Sequence, residues 1–338
     1  MNNQKSSHGG DIYSFAKELN LKPKNVIDFS SNINQYSPKI GSLSKDLDIS
    51  KYADFRYEKL KKKLAKKYKT VYTQIALFSG ASRAIVSFLS LFENLNEKIV
   101  LYAPIYGEYR RFSKKTVLIN RFTNIYQDPP KNSLVIFVNP STPDGKAYDM
   151  RRLFGIWKRN NNKILIDESF LEFTNEKSSI EELKNSNKLY ILKSLTKFYA
   201  CAGVRLGIII SSKKNIKELQ SHTSAMWDIS TFDEKYILKA LKDKNFPKKA
   251  IQKTNRDKKE LLKVLQNSPY IEKIYPSDIN FFLVKLKNID AFALQEICKK
   301  ENILIRNCKN FDFLDHYHVR LAVRKREDIR RLEKVLCA

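Results

Sequence analysis

The chain has 338 residues, 42% of them hydrophobic and 12% aromatic, enough for a large buried core and incompatible with general disorder. Its 63 lysines and arginines outnumber 36 acids, leaving a formal charge of +27 that nucleic-acid binding, steering of small anions or a lysine-rich surface would each explain. No zinc-finger, RNA-recognition or helix-turn-helix signature accompanies that charge, which favours a solvated basic surface over a nucleic-acid partner.

The opening Met1–Ser7 has no apolar stretch, so no secretory leader is expected. Residues 1–45 are too few for a domain and are expected to pack with the C-terminal part. Residues 46–230 form the expected large domain. Between Ile75 and Ile210, short apolar runs alternate with polar, helix-like segments: Ile99–Tyr102, Val117–Ile119, Leu134–Val138, Ile164–Ile166, Leu189–Leu192 and Leu206–Ile210. Runs of this length without polar alternation read as strands buried on both faces, hence an α/β fold with a mainly parallel sheet covered by helices. The longest apolar stretches, such as Ala84–Phe92, are too short and too interrupted by serine to span a bilayer.

Residues 231–338 change texture. Helical periodicity with heavy lysine runs from Phe232 to Leu265, with a break expected near Pro247. A strand at Asn280–Leu286, a helix at Phe292–Glu301, strands at Ile303–Ile305 and His318–Val323, and a helix at Glu327–Val335 make a small α+β domain. Lysines are densest from Lys59 to Lys69 and from Lys242 to Lys263. Cys201, Cys298, Cys308 and Cys337 form no C-x-x-C pair, and His8, His222, His316 and His318 do not complete metal-ligand spacing with them. No metal site is expected, and reduced thiols in a cytoplasmic protein fit best.

In open α/β sheets, ligands collect at the carboxyl ends of strands. Ala103-Pro104, Asn139-Pro140, Asp167-Glu168 and Ser194 all sit there. The richest stretch follows the last of these, Ser194-Leu195-Thr196-Lys197 through Gly203-Val204-Arg205-Leu206-Gly207. A single lysine is ordinarily a solvated one. A lysine between hydroxyls, with an arginine eight residues on, suits an amine nucleophile in a partly desolvated site beside an anion clamp.

In this order the strand ends resemble the fold type I pyridoxal phosphate (PLP) enzymes, the aminotransferase class I and II group, over nearly the whole chain. The resemblance implies a covalent link from Lys197 to the PLP carbonyl and a pairing of Asp167 with the pyridine nitrogen. It implies a phosphate cup of Gly80, Ala81, Ser82, Ser194, Thr196 and Arg205, with Tyr106 stacked on the cofactor ring. Lys197, Asp167 and Tyr106 would be the catalytic groups. Tyr52 resembles the tyrosine that reaches the phosphate of a neighbouring subunit, which implies a homodimer. Several positions depart from the family pattern. Arg83 stands where an acid is usual. In Asn139-Pro140-Ser141-Thr142-Pro143-Asp144-Gly145, Thr142 replaces the asparagine that bonds the PLP 3′-oxygen, and Phe170 replaces a tyrosine that bonds it too.

His8-Gly9-Gly10, with Asp28-Phe29-Ser30-Ser31-Asn32-Ile33-Asn34, resembles the opening of threonine-phosphate decarboxylases, near relatives of histidinol-phosphate aminotransferases. Gln35-Tyr36-Ser37 replaces the usual proline and glycine there. By the same resemblance, Asn32 and Arg320 bind a substrate carboxylate, and His8 and Arg306 a distal phosphate. Without it, Asp167 reads equally as a helix cap, Tyr106 and Tyr52 as core or surface aromatics, Arg306 and Arg320 as surface charge, and His8 as a tail residue. The implied activity is decarboxylation of O-phospho-L-serine or O-phospho-L-threonine, with an aminotransferase acting on a phosphorylated substrate as the alternative.

Overall fold

A computed structural model describes residues 8–43, 47–94, 97–113, 116–223 and 226–337; Met1–Ser7, on which the leader expectation rests, lie outside them. The chain opens with α1 (Ile12–Glu18), capped by the Asp11 carboxylate, and a two-residue strand β1 (Ile27–Asp28). Next comes α2 (Glu58–Tyr68), which buries Leu60, Leu64 and Tyr68 at helical spacing. From there apolar runs become strands: β2 (Ile75–Phe78), β3 (Ile99–Ala103), β4 (Thr116–Asn120), β5 (Leu134–Val138), β6 (Lys163–Asp167), β7 (Leu189–Ser194) and β8 (Gly207–Ile210). They form one sheet in the order β2-β8-β7-β6-β5-β3-β4, parallel except at β8, which runs antiparallel to both neighbours.

The unbroken apolar runs are explained by two cores. Along β3, Val100 and Tyr102 face one cluster while Ile99, Leu101 and Ala103 face the other, so neither side of the strand meets water. Helices α3 (Ala81–Asn94) and α6 (Lys213–Thr223) cover one face; α2, α5 (Met150–Arg159) and α7 (Thr231–Ala240) cover the other. A short helix, α4 (Gly107–Arg111), follows β3.

The long helix expected to break near Pro247 does so just before it: α7 ends at Ala240, and α8 (Phe246–Asn267) carries Pro247 in its first turn, where a missing N–H costs nothing. β9 (Ile271–Ile274), β10 (Phe281–Leu286), β12 (Arg306–Asn307) and β13 (His318–Ala322) make an antiparallel sheet in the order β12-β13-β10-β9. α8, α9 (Ala291–Lys299) and α10 (Arg326–Leu336) share its core. The expected strand at Ile303–Ile305 is shorter: β11 (Ile303–Leu304) pairs in parallel with β1, and the chain then turns into β12. The N-terminal segment is therefore hydrogen-bonded into the C-terminal unit. Among the described residues, no helix is long and apolar enough to cross a membrane.

Candidate active site

The carboxyl ends of β5, β6 and β7, at Val138, Asp167 and Ser194, open onto a cavity of about 380 Å³. Phe78 of β2 and Ser194 of β7 both pair with Gly207 of β8, which brings three strand ends side by side. Asp167 ends β6 and is buried. Its Oδ1 accepts from the Ser169 backbone at 2.9 Å and its Oδ2 from the Tyr109 hydroxyl at 2.9 Å, which fixes the carboxylate's orientation. Burial, with the Asp167 charge adding to it, raises the Tyr109 pKa well above the phenol range, so this donor stays protonated.

Lys197 lies three residues past β7, its Nζ 5.0 Å from the centroid of the Phe170 ring. Burial lowers its pKa; Asp167 opposes the shift, while Arg320 and Arg205 add to it. More of the amine is therefore neutral and nucleophilic than for a solvated lysine. Beside it, the Ser194 and Thr196 hydroxyls are 3.0 Å apart. Ala81 and Ser82, at the start of α3, line the same wall together with Arg205. Gly80 sits beneath that arginine: a Cβ there would come within 2.5 Å of Nη2, and its φ of +90° suits only glycine. Arg83 is exposed and does not line the cavity. Half-buried Tyr106 completes this side; its pKa is raised by burial, with the Ser82 hydrogen bond opposing.

The opposite wall comes from the two ends of the chain. His8 Nε2 lies 2.8 Å from the buried Glu108 carboxylate of α4, and its ring is 5.3 Å from that of Tyr106. Gly9 allows this entry, because a Cβ there would come within 2.3 Å of the Ser30 carbonyl oxygen. Arg306 of β12 and Arg320 of β13 stand directly opposite one another, each only 8% exposed. Like charges facing across adjacent strands are unfavourable. Arg320 donates from Nη1 to the Thr142 hydroxyl at 3.0 Å and from Nη2 to the Ser30 carbonyl at 3.1 Å. Among the described residues, its Nε has no partner, nor does the buried Oδ1 of Asn32. Burial pushes Arg320 down to about 10, with Arg306 adding to the shift, yet it remains charged at neutral pH. Paired cations with an unmet donor give this wall the chemistry that suits an anion.

Thirteen of the expected residues thus line one cavity, and Gly80 sits under its rim. Tyr52 alone stands apart, 80% exposed and stacked on Trp227 at 4.5 Å. Reading the residues missed several supports. Tyr109 and Glu108 lie in the run after Pro104, where only the spacing from Tyr106 hints at them. Arg121 is buried and ties the loops after β3 and β5 together. It donates to the Pro104 carbonyl at 3.0 Å, the Thr142 carbonyl at 3.2 Å and the Asp144 carboxylate at 2.7 Å. The unusual Tyr36 also finds a role. Its hydroxyl donates to buried Asp257 of α8 at 2.5 Å, and Asn34 bonds the carbonyls of Lys197 and Phe198. Residues 32–36 are thereby strapped to both α8 and the lysine turn.

Residues 24–336 match the family described as aminotransferase class I and II. The chain belongs to that family. Its fold is that of the fold type I PLP enzymes, and the cofactor of the family is PLP. A protein of Caldanaerobacter subterraneus provisionally named threonine-phosphate decarboxylase is 30% identical, covering 95% of this chain and 90% of its own length. The adenosylcobalamin biosynthesis bifunctional protein CobDQ of Leptospira interrogans is 29% identical over 96% of this chain, which spans only 40% of that longer protein. Among solved structures, the histidinol-phosphate aminotransferase from Clostridium acetobutylicum superposes with a TM-score of 0.81 at 29% identity, over 91% of this chain and 97% of that one.

The donor set fits the family cofactor. A helix start, two hydroxyls and an arginine packed on a bare glycine suit a phosphate; an oriented buried carboxylate suits a pyridine nitrogen; a desolvated amine suits a carbonyl. Thr142, expected to meet the 3′-oxygen, already accepts from Arg320 and keeps its own proton to donate.

Proposed function

We propose that this chain decarboxylates a small O-phospho amino acid, O-phospho-L-serine or O-phospho-L-threonine, yielding an amine phosphate and carbon dioxide. The observation that carries the reading is the anion wall: Arg306 and Arg320, buried opposite one another, with His8 folded in beside Tyr106. A substrate with an anion at each end would meet both guanidinium groups. Arg320 and Asn32 hold the carboxylate, while Arg306 and His8 hold the phosphate. Lys197, Asp167 and the cup around Arg205 would hold PLP, which when bound would supply the electron sink for the bond that breaks. The grip on both ends orients the bond between the α-carbon and the carboxylate, so geometry selects the bond. Lys197 Nζ, freed when the substrate displaces it, would then return a proton to the α-carbon.

The proposed assembly is a homodimer in which exposed Tyr52 serves the neighbouring site. A second reading, an aminotransferase acting on histidinol phosphate, is favoured by the likeness to the Clostridium structure. A product assay separates the two. The purified protein is supplied with phosphoserine, phosphothreonine or histidinol phosphate, with and without a 2-oxo acid. Carbon dioxide release without the oxo acid is expected; a strict oxo-acid requirement with no carbon dioxide would sink the decarboxylase reading.

A further inference from the structure

We propose that the groove between α2 and α7 binds a linear phosphate polyanion of the inorganic polyphosphate class, away from the active site. Lys59, Lys62, Lys63 and Lys66 recur at helical spacing along one face of α2. Lys235 and Lys239 of α7, with Lys242 just beyond its end, recur likewise and form the facing wall. Between them lies a groove of about 480 Å³ with Leu238 at its floor and no acid in its lining. The fold therefore brings two lysine-rich stretches, far apart in sequence, onto one surface.

Among the described residues, acids nearby do not neutralise this surface. Lys62 pairs with Glu58. Glu234 is buried in α7 and feels Lys235 and Lys59, but forms no ion pair with either. Among the described residues, Lys59, Lys63, Lys66, Lys235 and Lys242 have no ion pair, whereas Lys158, Lys163, Lys285 and Lys299 elsewhere each meet an acid. Packing like charges along two touching helix faces is unfavourable until counter-charge arrives. The chemistry of the lining narrows the ligand. Lysine ammoniums are point charges on flexible stems that suit phosphate oxygens without fixed geometry. The lining has no aromatic ring on which a base could stack, which disfavours a nucleic-acid strand.

The test is titration of the PLP-loaded protein with fluorescently labelled short-chain polyphosphate, followed by anisotropy at several salt concentrations. Neutralising about five phosphates predicts a log–log salt slope near −3.5, or roughly a hundredfold loss of affinity from about 50 to 200 mM salt. Lys59→Glu combined with Lys63→Glu and Lys66→Glu should weaken binding at least tenfold while the rate of the enzymatic reaction and the unfolding temperature stay unchanged. Reversing the exposed Lys213, Lys214 and Lys217 of α6 changes net charge equally and should leave binding intact. If that triple variant is unfolded, neutralising Lys235 and Lys242 to glutamine tests the other wall. Equal losses in the α2 and α6 variants, a salt-independent signal, competition by orthophosphate at equal phosphate concentration, or tighter binding of single-stranded DNA would each overturn the proposal.

Discussion

Replacing Arg320 with methionine should separate substrate affinity from stability. The guanidinium bonds the Thr142 hydroxyl and the Ser30 carbonyl, lies 5.1 Å from the centroid of the Phe281 ring and faces Arg306. Its fall to about 10 means that holding it charged at neutral pH costs roughly 3 kcal/mol relative to a solvated guanidinium. The variant relieves that cost and loses two hydrogen bonds worth about 1 to 1.5 kcal/mol each. The contributions nearly cancel, so the free energy of unfolding should move by less than about 2 kcal/mol. Substrate binding has no such compensation. Losing the charged partner of a carboxylate costs about 3 to 5 kcal/mol, a rise in KM of roughly a hundredfold to several thousandfold. Carbon dioxide release from phosphoserine and phosphothreonine gives KM, and denaturant unfolding of the same preparation gives stability. A KM within about threefold of wild type, or a stability loss beyond about 3 kcal/mol, refutes the assignment of Arg320 to the carboxylate.

Lys197→Met should abolish the absorbance of the lysine-linked cofactor and stabilise the cofactor-free protein at neutral pH. The lowered pKa of Lys197 means its charged form destabilises the fold below that pKa, and the penalty fades as pH rises through it. The unfolding-temperature gap between variant and wild type should therefore shrink at alkaline pH; a constant gap would count against this. Tyr36→Phe removes the bond to Asp257 and should raise KM severalfold with the unfolding temperature nearly unchanged, because residues 32–36 then hold Asn32 less firmly. A fall in kcat at constant KM would contradict that role. Arg121→Met leaves Asp144 buried without its partner and should cost about 3 to 5 kcal/mol of unfolding free energy, whereas Arg121→Met with Asp144→Leu should recover most of it. Equal losses in the single and double variants would show that the pair is not the source.

Much of the fold was legible because the strands of the large sheet are buried on both faces and therefore carry uninterrupted apolar runs, as in Leu134–Val138. β9 was not legible: Ile-Glu-Lys-Ile has two exposed charges in a four-residue strand, too short to show a period. β12 was hidden because its two residues carry no pattern of their own and become a strand only by pairing with β13. At the site, strand-end residues such as Asp167 and Ser194 could be located because the chain brings them there by position alone. The supports could not. Tyr109 and Asp167 are 58 residues apart, Arg121 and Asp144 are 23 apart, and His8 and Glu108 are 100 apart. Such pairs are set by how the strands stack, and nothing local marks one partner for the other.

The pairing of β1 with β11 has a consequence for recombination. The groups proposed to hold the cofactor within one chain fall between Gly80 and Arg205, whereas the proposed anion wall is drawn from residues 8–34 and 280–320. Those two distant stretches are joined by the β1–β11 bonds, by Arg320 to the Ser30 carbonyl and by Asn280 to the Asn32 carbonyl. A chimaera that exchanged only one terminus with a relative would split this wall along its own hydrogen bonds. One that exchanged both termini together would carry a new substrate grip as an intact piece and leave the central cofactor cradle as it stands.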